Sequence, residues 1–315
     1  MLCPLCQDEA QRFGRTNNGS QRYRCLACAK TFVDESTRAL DRRRVSADKM
    51  SLALRLLLEG TSIRSLERQL YIGRNTIMWA MVEAGEKCQA FLEKTVHNVT
   101  VSDVQADEIW GFVAMKEKTR LRLGHSEEVG DVWCFTAIER TTKLILTYHV
   151  GKRTPEDTAI FADNLYHATQ GRFQLTTDGF TPYRTTIPAI LGERVDFATL
   201  VKVDGDSADE GRYSPGVVTE VIATARLGDP DEDRICTSHV ERSNKTLRMG
   251  IRRLTRLTDA HSKKWENHEA AMAMFFAYYN FCRVHGTIKS TPAKAAGLTS
   301  ETWTLERLLG EASRV

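Results

Sequence analysis

The sequence predicts a multi-domain chain: a small zinc ribbon over residues 1–35, an all-α helix-turn-helix domain over 46–94, and an α/β domain with a mixed five-stranded sheet and C-terminal helices over 99–315. Three observations carry this. Two Cys-x2-Cys pairs fall within the first 28 residues; a short amphipathic segment, a glycine-bearing break and a longer helical segment follow; and beyond Val99 strand-like and helix-like runs alternate. A length of 315 residues allows one large core plus one or two small modules. With 42% hydrophobic and 27% charged residues, the composition is globular and excludes a fibre or a disordered chain. The longest apolar stretch, Ala270–Tyr279, is too short to span a bilayer, and no basic segment followed by an apolar one opens the chain. The expectation is an intracellular protein with no membrane partner.

The first module rests on Cys3, Cys6, Cys25 and Cys28. Each Cys-x2-Cys puts two thiolates on one tight turn, and two such turns complete the tetrahedral shell that Zn²⁺ prefers. About thirty residues bury little core, so the metal itself would stabilise the fold. Four thiolates leave no open coordination position, which makes the site structural. A redox pair needs its Cys-x2-Cys at a helix start after a strand, and neither copy has that setting. Cys88, Cys134, Cys236 and Cys282 are scattered, as buried or inert thiols are.

In the second module Asp48–Glu59 is amphipathic and stops at Gly60; Ser62 can cap a short helix Ile63–Leu70; Tyr71-Ile72-Gly73 breaks it; and Asn75 opens a longer helix through about Phe91. A recognition helix enters the DNA major groove by its N-terminus, which places Arg74, Asn75 and Thr76 at base edges. Arg42, Arg43 and Arg44 form either an arm onto the same duplex or a solvated linker. Net charge is only +3, but residues 1–44 carry +4 and 241–256 carry +5, leaving −6 elsewhere. Two basic zones on a nearly neutral chain suit a polyanion that touches at defined places.

The third region opens with strands Val104–Met115, Asp131–Ile138 and Lys143–Val150. Helix Pro155–Thr169, strand Arg172–Thr177, helix Phe180–Leu191 and strand Val195–Val203 follow. This order gives a mixed sheet. Acidic stretches Asp204–Gly211 and Gly228–Asp233 read as loops of an insertion over about 204–236, solvated rather than ion-binding. Long helices over about Thr237–Leu257 and Ser262–Val284 close the chain.

Three acids stand out by context: Asp107 inside an apolar strand, Asp178 at a strand end before Gly179, and Glu241 at a helix start. A carboxylate in a buried strand is costly unless paired or metal-bound. Converging carboxylates are the hard ligands that Mg²⁺ or Mn²⁺ takes, and two such ions clamp an in-line displacement at phosphorus. Glu108, one residue from Asp107, is expected on the opposite face of the strand and outside the set. On the following helix Lys245, Arg248 and Arg252 fall at +4, +7 and +11 from Glu241, a cationic stripe for a DNA strand, which Arg253 and Arg256 widen.

At these residues the chain resembles the DDE transposases of bacterial insertion sequences, most closely the insertion-sequence-one type. The blocks are SQRYRC (Ser20–Cys25), DEIWGF (Asp107–Phe112), GDVWCFTAIERTTKL (Gly130–Leu144), TTDGFTPY (Thr176–Tyr183), SHVERSN (Ser238–Asn244), RRLTRLT (Arg252–Thr258) and the tail Tyr278–Leu298. The resemblance implies an RNase H-like catalytic domain over 99–315 with Asp107, Asp178 and Glu241 as catalytic triad and ligands of two Mg²⁺ or Mn²⁺ ions. It further implies double-stranded DNA as partner, through terminal inverted repeats and target. A homodimer or larger homo-oligomer and a cytoplasmic place at the bacterial nucleoid follow. Two other readings remain at this stage: a transposase-derived DNA-binding regulator without catalysis, and an RNase H-like nuclease without strand transfer.

Overall fold

The computed structural model describes residues 1–15, 21–33, 45–205, 217–255 and 258–315. Arg42, Arg43, Arg44, Arg256 and most of the first acidic stretch lie outside the described residues.

The chain begins with three short antiparallel strands, β1 (Ala10–Arg15), β2 (Gln21–Cys25) and β3 (Thr31–Val33), in that order across the sheet. Half-buried Tyr23 stacks on half-buried Phe32, and among the described residues of this module only Cys3 and Cys25 are buried. Three helices follow: α1 (Ala47–Leu58), α2 (Ile63–Leu70) and α3 (Arg74–Thr95). Ser62 accepts the Ser65 N–H at the start of α2, and the left-handed Tyr71 closes it. Glu67 then reaches across the break to accept the Arg74 N–H and cap α3 (3.1 Å).

Next come β4 (Val99–Thr100), β5 (Asp103–Val113), α4 (Glu117–Leu123), β6 (Gly130–Glu139), β7 (Ile145–Gly151), α5 (Pro155–Ala168) and β8 (Thr169–Gln170). They are followed by β9 (Phe173–Thr177), α6 (Tyr183–Leu191), β10 (Val195–Gly205) and β11 (Val217–Leu227). The main sheet runs β11-β10-β9-β5-β6-β7, with β9 parallel to both β5 and β10 and the remaining pairs antiparallel. It therefore has six strands, not five. The sixth, β11, occupies much of the span expected as an insertion of loops; its Val/Ile/Thr-rich sequence pairs along nearly all of β10. Helices α7 (Ser238–Gly250), α8 (Trp265–Phe281), α9 (Pro292–Ala295) and α10 (Leu305–Ala312) complete the chain.

The chain forms two compact units that do not follow linear order: residues 1–94, 249–283 and 301–315 make one, and 95–248 with 284–300 the other. Helix α8, expected to close the α/β domain, is instead the core of the first unit. It is buried on nearly every side, including Phe275, Phe276 and Phe281, and each such ring contributes about 2 kcal/mol of burial. Phe281 packs on Phe91 of α3 and on Trp303. Gly85 allows α3 and α8 to touch backbone to backbone: a Cβ there would lie 2.3 Å from the Ala270 carbonyl oxygen and 2.5 Å from its Cα. Gly85→Ala is expected to destabilise the protein by roughly 3 kcal/mol or more, since overpacking against backbone outweighs the gain in helix propensity of about 1 kcal/mol. Urea denaturation checks it; an unchanged midpoint would show that the helices separate freely.

Helix α7 stops at Gly250, short of the expected Leu257. Gly250 sits against the Phe275 ring, 2.2 Å from where a Cβ would be, and Ile251 is extended. Arg252 and Arg253 thus fall in a 3-10 turn beyond the helix, and the +11 position does not continue the cationic stripe.

Candidate metal centres

The four cysteine sulfurs of the N-terminal module all lie within 4.8 Å of one another. Cys3 and Cys28 Sγ are 3.7 Å apart, and Cys6 and Cys25 Sγ 3.4 Å. A tetrahedron with Zn–S near 2.3 Å has sulfur edges of about 3.8 Å, so the donor set fits Zn²⁺ without rearrangement. Each second cysteine is followed by a left-handed residue, Gln7 (φ 60°) and Ala29 (φ 57°), which turns the chain back around the sulfurs. The Gln7 N–H bonds the Cys3 carbonyl, and the Cys28 N–H reaches Cys25 Sγ at 3.4 Å. That backbone donor leads in bringing the Cys25 thiol down to about 7, toward the thiolate that a metal needs.

In the second unit, parallel pairing sets Ala106 of β5 opposite Thr177 of β9. The next residues, Asp107 and Asp178, therefore meet where β9 ends. Their carboxylates and that of Glu108 offer oxygens all within 4.8 Å of one another. Glu108 belongs with this group, contrary to the expectation. Strand parity does send it to the other face, where its cross-strand partner Phe135 packs on Phe161 and Tyr183. Asp178, however, lies just past the last paired residue of β9, and both faces of β5 reach it. Asp107 faces α7: Asn244 Nδ2 donates to its Oδ2 at 2.8 Å. Asp178 accepts the Phe180 N–H (2.9 Å), and Gly179 lies so close to Val201 of β10 that a Cβ would come within 2.7 Å of it.

Glu241 stands one helical turn before Asn244 and its charge acts on Asp107, yet its carboxylate is outside the 4.8 Å group. It is held by Lys202 of β10 and by the Thr237 hydroxyl (2.6 Å). The start of α7 is pinned to β5 by Gln105, whose Oε1 accepts the His239 and Val240 N–H groups. Two positions along the same face of that strand is Asp107.

Burial first, then the Asp178 charge, pushes the Asp107 carboxyl up to about 7 and Glu108 up to about 8. Asn244 Oδ1 is buried with no hydrogen-bond partner, whereas Glu108 has the buried Tyr183 hydroxyl beside it. The repelled Asp107 and Asp178 carboxylates and an orphaned amide oxygen form a hard donor set that fits a divalent cation such as Mg²⁺ or Mn²⁺. An acid whose pKa is raised by folding binds its proton more tightly folded than unfolded, so its stabilisation is lost as pH rises. In chelator, the melting temperature of the protein relative to Asp107→Asn is expected to fall between about pH 4 and pH 8. His268, which burial brings down to about 3, titrates alike in both proteins and cancels. Magnesium should reverse the fall, more strongly as pH rises. Parallel melting profiles for the two proteins would contradict the site.

The other sequence candidates are dispersed. Arg74 and Asn75 are exposed and Thr76 half-buried at the start of α3. Lys245 is exposed on α7, while Arg248 donates to the Trp110 carbonyl (3.3 Å). Arg252 is exposed; Arg253 turns inward to Ser262 Oγ and Met81 Sδ, and burial brings it down to about 10, so it does not line a DNA track. Sequence reading missed Arg153, which pairs with Glu108 (3.0 Å) and approaches Asp178 (3.6 Å) from the β7–α5 turn. Nothing in its local sequence distinguishes it from a surface arginine.

No family model and no curated protein matches the sequence. Among solved structures, the cryo-EM structure of a piggyBac transposase synaptic complex with hairpin DNA aligns over 89% of this chain and 77% of that one, at 9% identity and a TM-score of 0.40. No helix among the described residues is long and apolar enough to cross a membrane.

Proposed function

We propose that the protein is a DNA transposase that binds the terminal inverted repeats of its insertion sequence and catalyses metal-dependent DNA cleavage and strand transfer. The observation that carries this reading is the convergence of the Asp107 and Asp178 carboxylates at adjoining strands beside Glu241. Asp107 and Asp178 would hold two Mg²⁺ or Mn²⁺ ions, with Glu241 joining once Lys202 releases it. Such ions, when bound, activate the attacking oxygen and neutralise charge on the leaving one. The chain supplies orientation: Asn244 fixes the Asp107 carboxylate, Thr237 and Gln105 fix Glu241 and its helix, and exposed Lys245 offers a backbone phosphate its charge.

Water attacks the phosphodiester at the element end and frees a 3′-OH, which then attacks target DNA. Arg74, Asn75 and Thr76, with the zinc-held ribbon and the 42–44 arginines, hold the repeat. Two ends must meet, so the working form is a homodimer or larger, acting on the nucleoid in the cytoplasm. The test incubates the full chain with a duplex carrying the DNA that borders its gene, with and without Mg²⁺. Magnesium-dependent cleavage and joining are expected. Binding without cleavage would leave a DNA-binding regulator, and cleavage without joining a nuclease.

A further inference from the structure

Arg153 is held more firmly than a half-exposed arginine needs to be. The Trp133 and Phe180 rings lie 4.7 and 4.1 Å from its guanidinium carbon. Glu108 Oε2 accepts from Nε at 3.1 Å and pairs with Nη2 at 3.0 Å. Glu108 is itself buried, its side chain retaining 1% exposure against 35% for Arg153. A carboxylate placed so deep is costly; the Tyr183 hydroxyl lies beside it, and the cation that pairs with it is Arg153 rather than one from solvent. A guanidinium carries five N–H donors in one plane. The edge formed by Nε and Nη2 is used inside the protein, and the rings take the faces. Among the described residues Nη1 donates no hydrogen bond, so its two N–H groups stand ready at the margin of the carboxylate cluster, with Asp178 Oδ2 3.6 Å from Nη2.

We propose that Arg153 grips a non-bridging oxygen of the DNA phosphate seated at the Asp107–Asp178 site, and that Glu108 is a positioning residue that holds the guanidinium for it. This rests on the phosphoryl-transfer reading above. A phosphodiester approaching three carboxylates meets repulsion that bound cations offset only in part. A fixed donor at the equatorial oxygens adds stabilisation where charge develops, and it needs no reorganisation at the moment of reaction. The aromatic clamp and the Glu108 bonds remove the rotamer freedom that a free arginine would lose on binding. Lys202 is paired to Glu241 and, like Lys245, is a flexible point charge without this fork.

The experiment compares wild type with Arg153→Ala, Arg153→Lys and Glu108→Gln in the full chain, on the duplex bordering the gene. Three quantities are read: cleavage rate at saturating DNA, Mn²⁺ affinity by electron paramagnetic resonance, and the salt dependence of duplex binding. Both arginine variants should lose roughly a hundredfold in rate. Their Mn²⁺ affinity should not fall, and in Arg153→Ala should rise as a cation beside Asp178 is lost; the salt slope of Arg153→Ala should drop by about one phosphate contact. Glu108→Gln should show the same loss of rate more weakly. Full activity in Arg153→Lys would overturn the proposal, since lysine cannot both stack and bond Glu108 twice. A loss of Mn²⁺ affinity in Glu108→Gln as large as that in Asp107→Asn would overturn it too, by making Glu108 a metal ligand; the loss of a neighbouring charge alone gives a smaller fall. Wild-type protein that never cleaves would overturn the underlying reading; active wild type with active Arg153→Ala would overturn this inference alone.

Discussion

Asp178→Asn is expected to reduce magnesium-dependent strand cleavage on the order of a thousandfold or more, while raising the melting temperature of the metal-free protein. The two effects have one cause. Asp178 is the charge that, after burial, most raises both Asp107 and Glu108. Neutralising it relieves repulsion that only a cation offsets. Asparagine keeps the oxygen that accepts the Phe180 N–H, so the turn into α6 should survive. Duplex binding should change little if the base-reading residues lie on α3. Cleavage assays alongside thermal melts in chelator decide it; a variant that is both active and less stable would mean that Asp178 is a structural cap.

Removing zinc should have an equally large effect on a different part of the chain. The binding energy of a structural Zn²⁺ in so small a module is of order 10–16 kcal/mol and is also its folding energy. A strong chelator, or Cys25→Ser, is therefore expected to unfold residues 1–33 while leaving the helical core of the same unit intact, because α8 and its phenylalanines owe nothing to the metal. Elemental analysis should find one zinc per chain, and loss of the ribbon should weaken duplex binding without altering Mn²⁺ affinity at the carboxylates. A disulfide among these four thiols would refute the assignment.

Much of this was legible in the sequence, for reasons that also mark where it stops. The cysteine spacing and the cap at Ser62 are local patterns, and local physics settles them. Asp107 and Asp178 were visible as acids in apolar strands, and their meeting needed only β5 and β9 to be neighbours. Glu108 was set aside by a parity argument that is right about its face. The argument failed because Asp178 is beyond the pleat, where faces no longer separate. The long strand β11 was hidden by acidic stretches at both its ends, although its β-branched run carried the signal. The early end of α7 depends on Gly250 meeting Phe275, a contact between residues 25 positions apart that no periodicity encodes. Helical pattern identified α8 but could not say what it packs against.

The division of the chain into interleaved units has a consequence for its synthesis. Residues 1–94 leave the ribosome first, but α3 finds its packing partner only when Ala270 and Phe281 have been made, with the whole α/β sheet translated in between. The early helices must wait as an unfinished, apolar-faced assembly, whereas the sheet can close on itself as it emerges. A message broken before the last helices would yield a polypeptide whose first half never consolidates. Such fragments would be cleared by proteases rather than persist.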